Sequence, residues 1–499
     1  MITEAETAES AIYQQIEGKA FRAVVWNFVA YGLGKGIVLL STSILARLLT
    51  KTDFGLVAIA VVVINYLAVV KDLGLGVALI QRRESVDDAA HTVFTMNLIM
   101  GIGLSALVIP LAPLIAIYFK DPSVTPVLRW LGLSFTVNAL GSVHIVWLLR
   151  DLDYKRKLIP DMGNTLGKGL VSIGMAYAGF GVWSLVVGQL VGALISAVLV
   201  WVIVPWRPRL SLHRSIVGAM LRYGASIMGI DIITAVTDNL DYVIVGRVFG
   251  LAQLSIYSLA YRLPEMLLIG NLWVMAGVIF PAFSTLQGQL DEMRRGFLAS
   301  VRIVELFAMP VCLGLVIAAD PVVRVLFGEQ WLEAIPVLRV LAVYAWVYSI
   351  GYHVGNVYKA IGRPEILLKL SVIALPVLIA SLLVGSRFGL IGIAYGLLFA
   401  VVIRRILSIN MAIRFVKVTL VDIVREIKPA ALGTLMMTPA TLVVLYLTSQ
   451  ANPFLRLTLV ALSGVVSYLA ALWWFEKDNV LQLVQRARQR DTVSYNPED

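Results

Sequence analysis

The chain is a succession of long apolar windows, and that pattern constrains its fold more than any motif does. A helix needs about 20 apolar residues to cross the hydrocarbon, because each residue rises only ~1.5 Å and every backbone polar group must be paired within the segment. Windows of this kind run over residues 22–46, 56–70, 93–118, 127–149, 158–178 and 182–204. After the linker PWRPRLSLHRS at Pro205–Ser215 come 222–245, 254–283, 297–319, 335–360, 366–384 and 390–409, then two more at 430–447 and 455–474. The expectation is an all-α integral membrane protein with about 14 transmembrane helices, built as two six-helix lobes plus two C-terminal helices. With 59% of its 499 residues hydrophobic and 14% charged, the chain has too little polar surface for a soluble globule.

Charge sets the expected topology. The net charge is +10, which in a soluble protein would raise nucleic acid as a partner. Here 29 of the 41 lysines and arginines fall at the termini and in alternate loops, as expected when basic residues stay in the cytosol. The surplus is thereby accounted for without nucleic acid, and both termini are placed in the cytosol. The predicted organisation is a cytosolic leader (1–21), an N-lobe of spans 1–6 (22–205), a cytosolic linker (206–221), a C-lobe of spans 7–12 (222–415), spans 13–14 (416–474) and a cytosolic tail (475–499). The leader carries Glu4, Glu6, Glu9 and Glu17 without a basic start, so it does not read as a signal peptide. A single cysteine, Cys312, excludes an internal disulfide and a cysteine-based metal cluster. Trp130, Trp206, Trp331, Trp473 and Trp474 lie near span ends and read as interfacial anchors.

The chain also repeats itself. PVLRWL begins at Pro126 and PVLRVL at Pro336, and a glycine follows at the same distance, Gly141 and Gly351, an offset of 210. A second echo, offset by 200, aligns Arg47 with Arg247 and Ala60 with Ala260; Phe180-Gly181 and Phe388-Gly389 form a third. Copies separated by an even number of spans share an orientation, which predicts two lobes related by an axis along the membrane normal.

Read together, LARLLTKTDFGLVAIA (Leu45–Ala60), DLGLGVALIQRRE (Asp72–Glu84), PVLRWLGLSF (Pro126–Phe135), FGVWSLVVGQL (Phe180–Leu190) and LFGEQWLEAIPVLRVLA (Leu326–Ala342) resemble the Wzx polysaccharide flippases. More narrowly they resemble the WzxC branch of the multidrug/oligosaccharidyl-lipid/polysaccharide superfamily. The resemblance runs from about Ala23 to Ile409 and is vaguer through the last two spans. It implies an N-lobe and a C-lobe around a central cavity in a bacterial inner membrane. It implies, too, the task of turning undecaprenyl-pyrophosphate-linked oligosaccharide from the cytosolic to the periplasmic leaflet. Membrane lipids, the lipid-linked substrate and a polysaccharide polymerase or export machinery would be the partners, and no cofactor is expected.

An ionisable side chain at membrane depth costs at least ~2.5 kcal/mol, so each one asks for a partner or a wet cavity. Lys35 lies among Gly32, Gly34 and Gly36, and Lys168 among Gly163, Gly167 and Gly169. Against the pyrophosphate that the resemblance implies, both would stabilise the head group by charge-assisted hydrogen bonds. Arg22 and Arg262 would extend that path to the cytosolic and periplasmic mouths. The alternative is a lysine that snorkels or pairs with a neighbouring carboxylate. Gly163 and Gly167 form a GxxxG that suits close helix packing.

In span 7, Asp231 and Asp238 are seven residues apart and share a face, with Asp241 one turn further along. Any of them could take a proton or sodium ion and couple export to an ion gradient. The alternative for Asp238 and Asp241 is that they mark the periplasmic helix end, which leaves Asp231 the deepest candidate. Glu305, Glu265, His144 and His353 stay ambiguous. No P-loop, HExxH or CxxC is present, so the chain does not read as an enzyme or an ATP-driven pump. A cation-coupled multidrug exporter is the nearest rival, although its cavity should be apolar or acidic. A membrane-embedded polymerase or glycosyltransferase would need a longer outside loop.

Overall fold

The computed structural model describes residues 31–72, 74–363 and 365–493, of which a few, among them 219–231 and 476–493, are described by backbone alone. No strand occurs among the described residues, and helix follows helix across short turns. In order these are α1 (31–48), α2 (Lys51–Asp72), α3 (Leu75–Gln81), α4 (Val86–Phe119), α5 (Val124–Gly132), α6 (Ser134–Arg150), α7 (Tyr154–Tyr177) and α8 (Val182–Ile203). Then come α9 (Arg214–Phe249), α10 (Leu251–Pro264), α11 (Gly270–Thr285), α12 (Leu290–Ile317), α13 (Ala319–Leu326), α14 (Ala334–Ser349) and α15 (Val354–Ala360). The last four are α16 (Glu365–Ser386), α17 (Gly389–Val416), α18 (Leu420–Leu447) and α19 (Pro453–Val493).

Ten helical segments among the described residues are long and apolar enough to cross a membrane. Four further ones coincide with predicted spans but are shorter, interrupted or more polar: α1, α7, α9 and the α10–α11 pair. The interruption has a local cause. Span 8 is predicted as one helix, but Pro264 lacks an N–H and crowds the carbonyl four residues back, and the chain widens into a π-turn over Glu265–Ile269 before α11.

The helices form two compact units. One comprises residues up to Ser258 with Leu378–Ile393; the other comprises Leu259–Val377 and Ala394 onward. In the first unit α7 and α8 make the most extensive packing, and glycine permits it. A methyl group on Gly192 would stand 2.7 Å from the Asn164 carbonyl oxygen, and one on Gly167 would stand 2.4 Å from Ile195 Cδ1. That is the close-packing role predicted for the GxxxG of α7. Across the same unit α4 packs on α5 and α6, where Ser105 donates to the Gly132 carbonyl.

In the second unit α12 packs against α14 and α18, and α18 against α19. Phe283, Phe297, Tyr358, Ala412 and Ile423 form one buried core there. Trp331, predicted as an interfacial anchor, is instead fully buried in this unit. Its indole fills the turn between α13 and α14, whereas Trp130, Trp473 and Trp474 are exposed as predicted.

Candidate functional site

Five of the seven predicted site residues have described side chains. Lys35 is half-buried on α1, its ammonium 5.2 Å from the Tyr31 ring centre. Lys168 is half-buried on α7 and donates to Gln189 Oε1 of α8 at 2.9 Å. A neutral amide therefore holds it, and Gly192 leaves room for its stem. Helices α1 and α7 are neighbours: Gly34 faces Met162, and Gly169 faces Ser41. Both contacts share an offset of 128 residues, which fixes a parallel register. On that register Lys35 and Lys168 are staggered by five residues, about 7.5 Å along the helices. Arg22 lies outside the described residues. Arg262 is half-buried in the second unit, at the last turn of α10, and Glu265 beside it is exposed.

The predicted carboxylate row on α9 resolves into three situations. The side chain of Asp231 lies outside the described residues. Asp238 is exposed. Asp241 is 3% exposed and accepts a 2.7 Å hydrogen bond from the Tyr257 hydroxyl of α10. Its other oxygen, Oδ1, is buried with no partner. The charges of Asp241 and Asp238 both reach Tyr66 on α2. A buried carboxylate with one oxygen held and one unserved costs roughly 1–3 kcal/mol unless it takes up a proton or a cation. Of the three predicted coupling candidates, Asp241 is the one whose described side chain is buried.

The second unit holds a buried carboxylate of different character. Glu305 on α12 is fully buried, and both oxygens are served, Oε2 by Trp346 Nε1 at 3.0 Å and Oε1 by Ser349 Oγ at 2.9 Å. Arg405 falls in the predicted window 390–409 although the charge count takes it with the loop cations; it lies inside α17, and its charge reaches Glu305. The signal available was its place in the apolar window 390–409, with Arg414 nine residues further on. No group of three or more metal-ligating side chains occurs among the described residues.

Comparisons with known proteins give a family and a fold. Residues 44–336, more than half of the chain, match the family described as polysaccharide biosynthesis protein. The chain is similar to lipopolysaccharide biosynthesis protein WzxC of Escherichia coli K12, 26% identical over 79% of this chain and 81% of that one. It is also similar to succinoglycan biosynthesis transport protein ExoT of Rhizobium meliloti, 29% identical over 64% of this chain and 65% of that one. Among solved structures it is similar to the lipid II flippase MurJ in an inward closed conformation, with a TM-score of 0.75 at 16% identity, covering 92% of this chain and all of that one. An inward-facing multidrug transporter of the MATE family gives a TM-score of 0.66 at 18% identity, covering 78% of this chain and 95% of that one.

Proposed function

Since the chain belongs to the polysaccharide biosynthesis protein family, we propose that it is a flippase for lipid-linked oligosaccharide. It turns an undecaprenyl-pyrophosphate-linked repeat unit from the cytosolic to the periplasmic leaflet of a bacterial inner membrane, and it is not an enzyme. Names among its relatives support the reading: lipopolysaccharide biosynthesis for one, succinoglycan transport for another. The MurJ-like fold supports the architecture alone.

The observation that carries the reading is the pair of lysines on parallel neighbours α1 and α7. Two cations within one helix pair at membrane depth are costly in a scaffold and useful against a pyrophosphate. The polyprenyl tail stays in lipid while the head group passes these side chains, which face one side of the membrane and then the other. The reading takes fourteen crossings in two six-helix lobes plus a C-terminal pair, with both termini in the cytosol; the ten apolar helices, together with α1, α7, α9 and α10–α11, support the count. Asp241 carries the coupling ion, a proton or sodium. Its unserved oxygen beside Tyr257 supports that role.

The test is deletion of the gene in its host, with lipid-linked oligosaccharide quantified by leaflet using a membrane-impermeant lectin on spheroplasts. Accumulation on the cytosolic face with loss of surface polymer is expected. Unchanged pools and polymer would remove the assignment.

A further inference from the structure

Span 10 is predicted as one helix, and the structure breaks it in the middle. Helix α14 ends at Ser349, Ile350 turns extended at ψ 113°, Gly351 takes a left-handed φ of 63°, and α15 resumes at Val354. A broken helix at membrane depth leaves carbonyls without intrahelical partners, which is tolerated only where protein or a polar cavity serves them. Here the Tyr348 carbonyl accepts a hydrogen bond from Arg405 Nη2 of α17. Arg405 stands roughly 24 Å from the start of α17 and about 17 Å from its end, so it lies well inside the helix rather than in a loop.

Its surroundings are those of a binding group. The guanidinium lies 4.8 Å from the Tyr348 ring centre and 5.9 Å from that of Tyr352. Among the described residues no carboxylate pairs with it; Glu305 acts on it only at longer range. Its Nε is buried and unpartnered, and one of its five N–H groups serves a carbonyl. Beside it His353, 2% exposed, leaves Nε2 without a partner. The rings continue as a ladder. Tyr344, Tyr348 and Tyr352 recur at helical spacing with centres 5.9 and 5.5 Å apart, and Tyr261 adds a fourth ring 6.0 Å from Tyr344. Tyr261, Tyr348 and Tyr352 are only half-buried.

We propose that this break is a head-group site in which Arg405 binds the pyrophosphate and the half-buried faces of Tyr348 and Tyr352 stack against the first sugars. The inference rests on the flippase reading and adds to it residues of the second unit that sequence did not single out. The chemistry is specific. A planar guanidinium matches two phosphoryl oxygens at once, and desolvation strengthens the contact. The negative face of a tyrosine ring attracts the polarised C–H bonds of a pyranose face, and each ring step of the ladder is about the size of one sugar. Gly351 makes the turn without strain, since a side chain there would have to adopt the left-handed region.

Binding to the full-length protein in detergent tests this, with radiolabelled farnesyl pyrophosphate and farnesyl-pyrophosphoryl-glucose as probes. Arg405→Ala should weaken both probes at least about tenfold, and Arg405→Lys less, since it keeps the charge and loses the fork. The double variant Tyr348→Leu, Tyr352→Leu should weaken only the sugar-bearing probe, and Tyr348→Phe, Tyr352→Phe neither. Wild-type affinity in Arg405→Ala, with loss in Lys35→Ala, would overturn this site and leave the flippase standing. Equal weakening of both probes by the leucine pair would reduce the rings to supports for Arg405 and overturn the sugar contact. A wild-type protein that binds neither probe would bring down the flippase reading itself. Should Arg405→Ala melt early, Arg405→Lys decides, because unchanged affinity for both probes in a charge-preserving variant would exclude bidentate phosphate recognition.

Discussion

The segments 126–150 and 336–360 begin alike, as PVLRWL and PVLRVL, and each places a glycine fifteen residues on. In the first, helix continues: Leu133 between α5 and α6 keeps φ −61° and ψ −21°, and Gly141 packs its bare backbone against Ala197 and Val200 of α8. His144 three residues later is sealed under Trp201, 4.8 Å away, and its Nε2 donates to the Trp206 carbonyl. In the second, the chain unwinds at Gly351, and Arg405 and a row of tyrosines occupy the opening. One glycine is kept for contact and the other for backbone freedom. The repeat therefore yields one packed helix and one polar, interrupted helix, and the chemistry gathers at the second.

The sharpest way to break this contrast is to substitute both glycines. Gly351→Val forces a β-branched residue into the left-handed region, at a cost above the ~1–2 kcal/mol of an ordinary side chain. Surface-polymer export in a complemented deletion strain should fall at least tenfold, and the melting temperature in detergent should drop. Gly141→Ala should leave both nearly unchanged. Its methyl group would sit 3.2 Å from Val200 Cγ1, which needs a small shift, while alanine relieves the ~1 kcal/mol that glycine costs inside a helix. Equal damage at both positions would erase the distinction.

The same pair shows what sequence could and could not reveal. Apolar windows locate helices because lipid demands that backbone polar groups be paired within each segment. The junction glycines were legible as well: Gly181 and Gly389, matched in the repeat, both adopt positive φ just before a long helix. Continuity was not legible, because Gly141 and Gly351 stand at the same distance from the repeated PVLR, and spacing does not show what packs on each. Arg405 was hidden because counting loop cations absorbed one that lies inside a helix. Asp241 was undervalued because spacing alone cannot show that Tyr257 would cap one oxygen and leave the other unserved. Trp331 looked like a surface anchor only because it stands near a span end.

The two buried carboxylates sharpen the comparison further. Asp241→Asn keeps the shape and removes the ionisable proton, so export should fall about tenfold while the melting temperature holds. Glu305→Gln should stay within about twofold of wild type, because an amide oxygen can accept from Trp346 while its NH2 donates to Ser349. The reverse result would move ion coupling into the second unit. Smaller effects are expected at the lysines: Lys35→Ala and Lys168→Ala should each lower export about threefold to tenfold. If each exports at the wild-type rate, the cationic path of the first unit is wrong and Arg405 stands alone.

The smallest effect concerns the last two helices, which have no counterpart in the repeat. Asp320 at the start of α13 accepts from Arg324 Nε and from Arg456 Nη1 of α19, both at 2.9 Å, and Arg294 pairs with Asp422 at the other end of the hairpin at 2.7 Å. Midway, the Tyr468 hydroxyl donates to the Leu306 carbonyl, one residue from Glu305. Within the second unit the α18–α19 hairpin thus packs on α12 and α13 and is tied to them at three levels. Half-buried ion pairs contribute only ~1 kcal/mol or less, and the remaining contacts persist without them. Asp320→Asn should therefore lower the melting temperature slightly and leave export untouched. A clear loss of export with intact stability would mean that the hairpin moves with the transport cycle, and that Asp320 belongs to the machinery of the second unit.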